Sequence, residues 1–486
     1  MAKWRDGRGR RQHRRNRSPR KVERPIEIID GADYINSMPD EILRHILFFI
    51  PIDLAMRTSV LSRRWRHVWC EMPCLAINGS ILKAGEINQT LASYTAPKIT
   101  SFNLRVSLKT SPPQIDSLVE FAISRNVEKL SVTNHDLSFN KTCSFPDFFY
   151  LSSSLKQLSV SLLPLCDMIP TCAVSWKSLR NLSLIHCKLG QESIDNILSG
   201  SPILESLTLY ECRVLKRLDL RKSLSLRRLE IYHWHPPRAH QELLGPSGPV
   251  EIVAPHINYL RLRIFTDKDF KLVDVSSLTE AHFYIRTSIL LRSTDHCFQT
   301  LALELLAKLH NVERLTLGAT LLQILTLAEL RGVPFPTLKV QTLIIKTEFA
   351  QSVIPGIARL LQNSPGLKKL TVYTMHDHTI MVLCQTINSP FIFLSTSLDR
   401  SWIFQYEEFP TSKEIYSMLG CNDSTSEVLA LFIELVLRNA KTLETMVVWL
   451  GSSSFDDAQW FEEQLQIVGT LSQNNNVSIV LKRSNC

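Results

Sequence analysis

The chain has 486 residues, 44% of them apolar and 21% charged, a composition that fits a folded protein of about three domains. No apolar run approaches the roughly 20 residues that a membrane-spanning helix needs, and the first residues lack the apolar stretch of a secretion signal, so neither a membrane nor a secreted protein is expected. The formal charge of +9 points to a nucleic-acid binder only until it is located: residues 1–24 hold eleven lysines and arginines against Asp6 and Glu23, which is the whole excess, and the rest balances at 44 basic and 44 acidic residues. Eleven cysteines, an odd number in a chain without a secretion signal, read as reduced thiols of an intracellular protein, nuclear or cytoplasmic.

The basic tail, residues 1–30, is polar and self-repelling and is predicted to be disordered. Three readings of it stand side by side: a nuclear import signal centred on Arg10–Lys21, non-specific contacts with the phosphates of RNA or DNA, or a solubilising leader. Ser18-Pro19 is a candidate phosphorylation site whose added charge would weaken any of them. No nucleic-acid contact is expected beyond weak ones through residues 1–24.

The stretch Asp33–Leu75 is dense in large apolar side chains. Ser37 followed by Asp40 has capping-box spacing, with Pro39 in the first helical turn. Ile42, Ile46 and Phe49 fall on one helical stripe and Leu43, Leu47 and Ile50 on another, so this helix is predicted to be buried on two sides. Pro51 ends it. Asp53 can cap a second short helix carrying Leu54 and Met56, and Ser62 a third on which Trp65 and Trp69 lie four apart. About forty residues are too few to bury this much apolar surface unaided. The segment is therefore expected to be half of an interface, against the alternative of a helical subdomain with a private core.

The run Met38-Pro39-Asp40-Glu41-Ile42-Leu43, with Ile46-Leu47 and then Pro51, resembles the first half of an F-box. Thr58-Ser59-Val60-Leu61-Ser62-Arg63-Arg64-Trp65-Arg66-His67-Val68-Trp69 resembles the plant form of its second half. The resemblance, assigned to residues 31–77, implies docking onto the Skp-type adaptor of a cullin-based ubiquitin ligase. It implies that Met38, Pro39, Ile42, Ile46, Leu54, Val60, Leu61, Trp65 and Trp69 contact that adaptor or form the small core behind the contact.

Within residues 78–395, assigned to a repeat solenoid, one pattern returns between about 97 and 375: apolar, two variable, apolar, one variable, apolar. Copies begin at Ile99, Val127, Leu155, Leu179, Leu204, Leu215, Leu226, Ile257, Val312, Val340 and Leu367, with a degenerate one at Leu278. Most steps are 24–28 residues, two are 11, and a few are near 31–34. This is the strand half of a leucine-rich repeat, and such copies bury their apolar faces only by stacking into a solenoid. Segments such as QESIDNILSGSPILESL and SVIPGIARLLQNSPGLKKL predict helical returns ending at Ser-Pro, with irregular returns where the steps are short. By alternation, Ser206, Thr208, Tyr210, Arg217, Asp219, Arg221, Arg228, Glu230, Tyr232, Tyr259, Arg261 and Arg263 point outward on the concave face. The Tyr210, Arg217, Arg221, Arg228, Tyr232, Tyr259, Arg261 and Arg263 stripe suits an acidic or phosphorylated peptide. The heavier alternative is a solvated strand face on which Asp219 and Glu230 neutralise their neighbours.

In residues 396–486, Leu431, Leu435 and Leu437 predict a helix ending near Asn439, Leu443-x-x-Met446-x-Val448 a further repeat strand, Ala458–Thr470 a helix and Val477–Leu481 a strand. Val436-Leu437-Arg438-Asn439-Ala440 and the strand after it resemble the FBD domain of plant F-box proteins with leucine-rich repeats, although the usual front of that domain is not recognisable between Pro410 and Glu427. As a cap it would close the open end of the solenoid.

Catalytic chemistry finds little support. His233-Trp234-His235 and His376-Asp377-His378 alternate histidines without a third ligand, Cys70 and Cys74 stand alone, and no phosphate loop or nucleophile motif occurs, so no metal, cofactor or enzyme activity is expected. The fold expectation is α+β and multidomain: a three-helix F-box, a leucine-rich-repeat α/β solenoid and an FBD-like cap. The functional expectation is a non-catalytic, substrate-recruiting subunit of a Skp–cullin–F-box ubiquitin ligase, with an adaptor, through it a cullin, and a protein client as partners. The alternatives are a binding scaffold that does not drive ubiquitination, tethered through its basic tail, and a small-molecule receptor.

Overall fold

A computed structural model of the chain describes residues 34–50, 52–78, 91–106, 112–134, 143–212, 216–233, 251–265, 271–286, 297–330, 332–347, 349, 353–374, 422–451 and 458–483. The basic tail, Trp234 and His235, the His376–His378 motif and the front of the C-terminal region (396–421) lie outside these residues.

Each repeat copy builds a strand whose last two apolar positions face inward, while its first apolar position packs just before the strand. Ile99, Phe102 and Leu104 are buried in this way, as are Leu179, Leu182 and Leu184, and Val340, Leu343 and Ile345. In chain order the strands are β1 (Cys74–Asn78), β2 (Ser101–Arg105), β3 (Lys129–Asn134), β4 (Cys143–Ser144), β5 (Gln157–Asp167), β6 (Asn181–Lys188), β7 (Ser206–Tyr210), β8 (Arg217–Asp219) and β9 (Arg228–His233). They continue with β10 (Glu251–Val253), β11 (Tyr259–Phe265), β12 (Lys271–Asp274), β13 (Glu280–Arg286), β14 (Arg314–Gly318), β15 (Thr342–Thr347), β16 (Lys369–Thr374), β17 (Thr445–Leu450) and β18 (Ser478–Arg483). Among the described residues, fourteen of them form one path in the order β1-β2-β3-β5-β6-β7-β9-β11-β13-β14-β15-β16-β17-β18, with β4 beside β5. The pairings are parallel, so each strand needs a crossover to reach the next.

Register keeps apolar beside apolar. Leu207 stands beside Leu229, Leu229 beside Leu260, Leu315 beside Leu343, and Leu370 beside Met446. A slip of one residue would turn every one of these side chains to water.

The sheet runs on across both regions flanking the repeats. Met72-x-x-Leu75-x-Ile77 is itself a repeat copy, with all three side chains buried. It forms β1, which pairs with β2, so a boundary at 77/78 falls inside the first strand of the sheet. The N-terminal helices are tied to the sheet by the same stretch: the amides of Thr95 and Ala96 donate to the Cys70 carbonyl at 3.0 and 3.1 Å, and that of Thr100 to Pro73 at 2.7 Å. At the other end, β17 pairs with β16 and β18 with β17. The described part of residues 396–486 therefore continues the solenoid by two strands, and its apolar residues join the one core that runs from Leu43 to Leu481.

The short steps have a distinct outcome. Eleven residues hold a strand and two turns but no helix, since a strand of five residues and its turns already use most of them. β7 therefore pairs directly with β9, and β8 joins β10 and β12 in a second, three-stranded parallel sheet. Leu218, Ile252 and Leu272 of this small sheet are buried in the same core and close the back of the large sheet where no helix is found among the described residues. Elsewhere helices do so, including Gln191–Ser199 and Ile354–Gln362 at the segments with helical spacing. In the C-terminal part the helices are Asn422–Asn439 and Ala458–Asn475.

The helix Ala319–Leu330 is buried on almost every side, and the next return helix crosses it at Gly356. The Gly356 amide donates to Thr326 Oγ1 at 3.0 Å. A methyl group there would lie 2.5 Å from the Leu322 carbonyl oxygen and 2.7 Å from the Thr326 nitrogen, both backbone atoms. Gly356→Ala should destabilise the protein by about 1–3 kcal/mol through this overpacking. Gly366→Ala, in a turn where nothing lies within 4 Å, should leave the thermal unfolding midpoint unchanged. Equal midpoints for the two variants would contradict the close helix crossing.

Candidate functional site

Residues 34–72 fold into α1 (Tyr34–Ser37), α2 (Asp40–Phe48), α3 (Ile52–Arg57) and α4 (Trp65–Val68) with short 3-10 turns between and after them. Pro39, not Ser37, holds the N-cap position of α2, without a side-chain hydrogen bond, and Ser37 closes α1 instead. The first turn is completed by charge: Asp40 and Glu41 sit at the positive end of the helix dipole. Arg64 binds Asp40, its Nε donating to Oδ1 at 2.7 Å, and also donates to the Met38 carbonyl, which staples α2 to the third helical segment. Asp53 lies inside α3 rather than before it. Ser62 Oγ accepts from the Trp65 amide at 3.3 Å, the bond expected of a cap.

The two stripes of α2 separate. Leu43 and Leu47 are buried, whereas Ile42, Ile46 and Phe49 stand exposed one helical turn apart. With them are exposed Ile35, Phe48, Leu54, Val60 and Leu61, so eight of the fourteen exposed large apolar side chains among the described residues fall between Ile35 and Leu61. Val60 is 86% exposed and Phe49 71%. Single exposed apolar side chains are ordinary, but a concentration like this marks an interaction face.

Of the nine residues that sequence resemblance ties to adaptor contact or the core behind it, Pro39, Ile42, Ile46, Leu54, Val60 and Leu61 lie on the exposed side and Met38 is half buried. Trp65 and Trp69 do not: each is only 5% exposed, and both fill the core behind the face together with Ala55, Val68 and Met72. Their four-residue spacing reports that inward face. Ile35, Phe48 and Phe49 are additions. The Ile42–Ile46–Phe49 spacing already contained Phe49, while Ile35 and Phe48 carry no periodic signal.

On the concave sheet, the expected stripe divides. Arg217, Asp219 and Arg221 leave it, because β8 belongs to the small sheet. There Asp219 accepts from Arg221 Nη2 at 2.5 Å and meets Arg217 at 3.4 Å. The hydrogen bond from Arg221 is the main reason that the Asp219 pKa falls to about 2. Arg228, Glu230, Tyr232, Tyr259, Arg261 and Arg263 remain together on β9 and β11. Glu230, buried, is their hub: Arg228 Nε donates to it at 2.7 Å, Tyr232 Oη at 2.6 Å, and Arg261 lies 3.7 Å away. Arg261 Nη1 also donates to Tyr232 Oη at 3.2 Å, and the Arg228 guanidinium sits 3.6 Å above the Tyr259 ring. Burial opposes ionisation of Glu230, yet the hydrogen bonds from Tyr232 and Arg228 and the nearby positive charges outweigh it, and its pKa lies below the ordinary value. Arg228 and Arg261 are thus occupied by a carboxylate of their own chain, as the neutralised-face alternative expects. The Tyr210 ring lies tilted beside that of Tyr232, their centres 5.5 Å apart, and Arg263 is exposed.

Among the described residues, no group of three or more His, Cys, Asp or Glu is placed to hold a metal ion, and no helix is long and apolar enough to cross a membrane. The Cys70 thiol is buried, and burial is the main cause that raises its pKa.

Two family models match the chain. That of the F-box domain covers residues 35–76, and that of the LRR repeats of an FBD-associated F-box protein covers residues 115–243. Full-length relatives are also found in Arabidopsis thaliana. One described as an F-box/LRR-repeat protein is 62% identical over 491 residues, spanning 100% of both chains. A second of that description is 61% identical over 94% of this chain and 95% of its own, and a third is 46% identical over 94% and 96%.

The Glu230 network has a pH signature. Because the carboxyl is held below its ordinary pKa, its contribution is full above the unfolded value of about 4.3 and is lost as pH falls through the folded value. Glu230→Gln should lower stability at pH 7 by about 1–3 kcal/mol, the loss expected when hydrogen bonds to a buried charged acceptor become bonds to a neutral one. In urea unfolding the deficit should shrink as pH drops below about 4. Tyr259→Phe removes a buried hydroxyl that has no hydrogen-bond partner among the described residues and should leave the midpoint unchanged or raised.

Proposed function

The chain belongs to the F-box/LRR-repeat proteins, and from that premise we propose that it is the client-recruiting subunit of a Skp–cullin–F-box ubiquitin ligase. The observation that carries this reading is the exposed apolar face of α1 to α3 and the turn at Val60 and Leu61, backed by the buried Trp65 and Trp69. A face of this kind is expensive to leave in water and is worth keeping only for a partner. The F-box domain implies a Skp-type adaptor as that partner, and through it a cullin. The solenoid supplies the second binding site, whose concave surface takes the protein to be ubiquitinated. Holding client and transfer machinery together raises their effective concentration without any catalytic residue in this chain. Nucleus and cytoplasm, where thiols stay reduced, are the compartments of this proposal.

The test separates docking from folding. Val60→Asp with Leu61→Asp changes two exposed side chains and should leave stability within about 0.5 kcal/mol, while burying unpaired carboxylates in the interface should weaken adaptor capture at least about 100-fold, since each tenfold is 1.4 kcal/mol. Trp65→Ala should instead destabilise the chain itself by about 3–5 kcal/mol. Co-purification of adaptor and cullin with the wild type but not with the double variant supports the ligase reading. A wild type that captures neither leaves a repeat-built scaffold.

A further inference from the structure

At the C-terminal end of the large sheet, the outward side chains carry the register row of Tyr210, Tyr232 and Arg263 on into residues outside the stripe read from the sequence. Tyr284 on β13, Lys346 on β15, Tyr373 on β16, Trp449 on β17 and Lys482 on β18 lie side by side, with Gly318 of β14 between the first two. Lys346 Nζ sits 5.1 Å from the Tyr284 ring centre and 5.3 Å from that of Tyr373. Tyr373 and Trp449 stack at 5.8 Å with their planes 10° apart, and Lys482 Nζ lies 4.9 Å from Trp449. Gly318 leaves room beside Tyr284: a Cβ there would come 3.3 Å from the Tyr284 ring, a tight contact.

The charge of this region is one-sided. The outward positions of β14 to β18 include Arg314, Lys346, Lys369 and Lys482 and no Asp or Glu. Arg314 pairs with Glu280 at 3.3 Å. Lys346, Lys369 and Lys482 have no ion pair among the described residues. This is the reverse of the central patch, where Glu230 occupies both arginines.

Resting on the client-recruiting reading, we propose that the row from Tyr284 to Lys482 docks an extended acidic segment of the recruited protein, with carboxylates at Lys346 and Lys482. Tyr373 lies between Lys346 and Trp449, Trp449 between Tyr373 and Lys482, and Tyr284 has Lys346 against its ring, so what these residues offer outward is mainly ammonium groups and the positive edges of the rings. Bases of single-stranded nucleic acid need open faces for stacking. Three strand spacings separate the two lysines, about 14 Å, too far for both to reach a single phosphate. Four residues of extended chain span about 13 Å, so acidic residues four apart match the row.

The experiment uses the full chain bound to its adaptor and a fluorescent peptide of about twelve residues with glutamates four apart. Controls are the same peptide with glutamine in their place, a single-phosphoserine version and an oligonucleotide of similar length. The glutamate peptide should bind at least about tenfold more tightly than the glutamine peptide, and the difference should shrink as salt rises. Lys346→Glu with Lys482→Glu should abolish that difference, and Lys346→Gln with Lys482→Gln should reduce it with less strain on the fold. Equal binding of the glutamate and glutamine peptides, indifference to both double variants, or a preference for the phosphopeptide or the oligonucleotide overturns the proposal. Adaptor capture measured on the same samples keeps the outcomes apart: an adaptor-blind chain that still selects the glutamate peptide fails the ligase reading alone, and an adaptor-bound chain that does not select it fails this one alone.

Discussion

A short parallel strand has neither a hairpin partner nor a core of its own, and this constraint governs the whole molecule. β1 to β18 meet it together. Each inner strand satisfies its backbone groups through the two strands beside it and covers its apolar face with the return segments packed behind them, and a shift of one residue would expose that face. Register is consequently held over fourteen strands, and the outward side chains are drawn into rows.

The N-terminal helices obey the same constraint. Their last segment runs through Met72 into β1, and Trp65, Trp69 and Met72 pack in the core that continues into the sheet. The inward stripe of α2 is consumed there, and the outward stripe is left over. The exposed apolar face is thus anchored to the first strand of the solenoid rather than hung on a linker, which ties the adaptor end of the proposed function to its client end.

Along the concave surface the electrostatics change character. In the middle, Glu230 sits among Arg228, Tyr232 and Arg261 and turns four polar side chains into an internal brace. Towards the C-terminus no carboxylate among the described residues joins Lys346, Lys369 and Lys482, and aromatic rings lie between Lys346 and Lys482. Two stretches that read alike as basic and aromatic residues differ in whether their charge is spent within the chain or left for a partner.

Local patterning reached far in this chain. The apolar-x-x-apolar-x-apolar copies, the helices ending at Ser-Pro and the strand at Leu443 follow from short-range periodicity and steric stops, so they are legible without neighbours. The C-terminal helices and strands were legible for the same reason. What the spacing could not carry was the assignment of outward positions to a sheet. Arg217 and Arg221 have the same local pattern as Arg228, yet an eleven-residue step sends β8 to the back sheet. Nor could it tell the inward tryptophans from the outward isoleucines, since both recur at helical spacing. The sequence by itself determined which residues make strands and which end helices, because backbone sterics and apolar periodicity act over a few residues. The tertiary structure alone decided which apolar stripe is spent in the core and which charges meet across strands, because burial and register depend on residues dozens of positions apart.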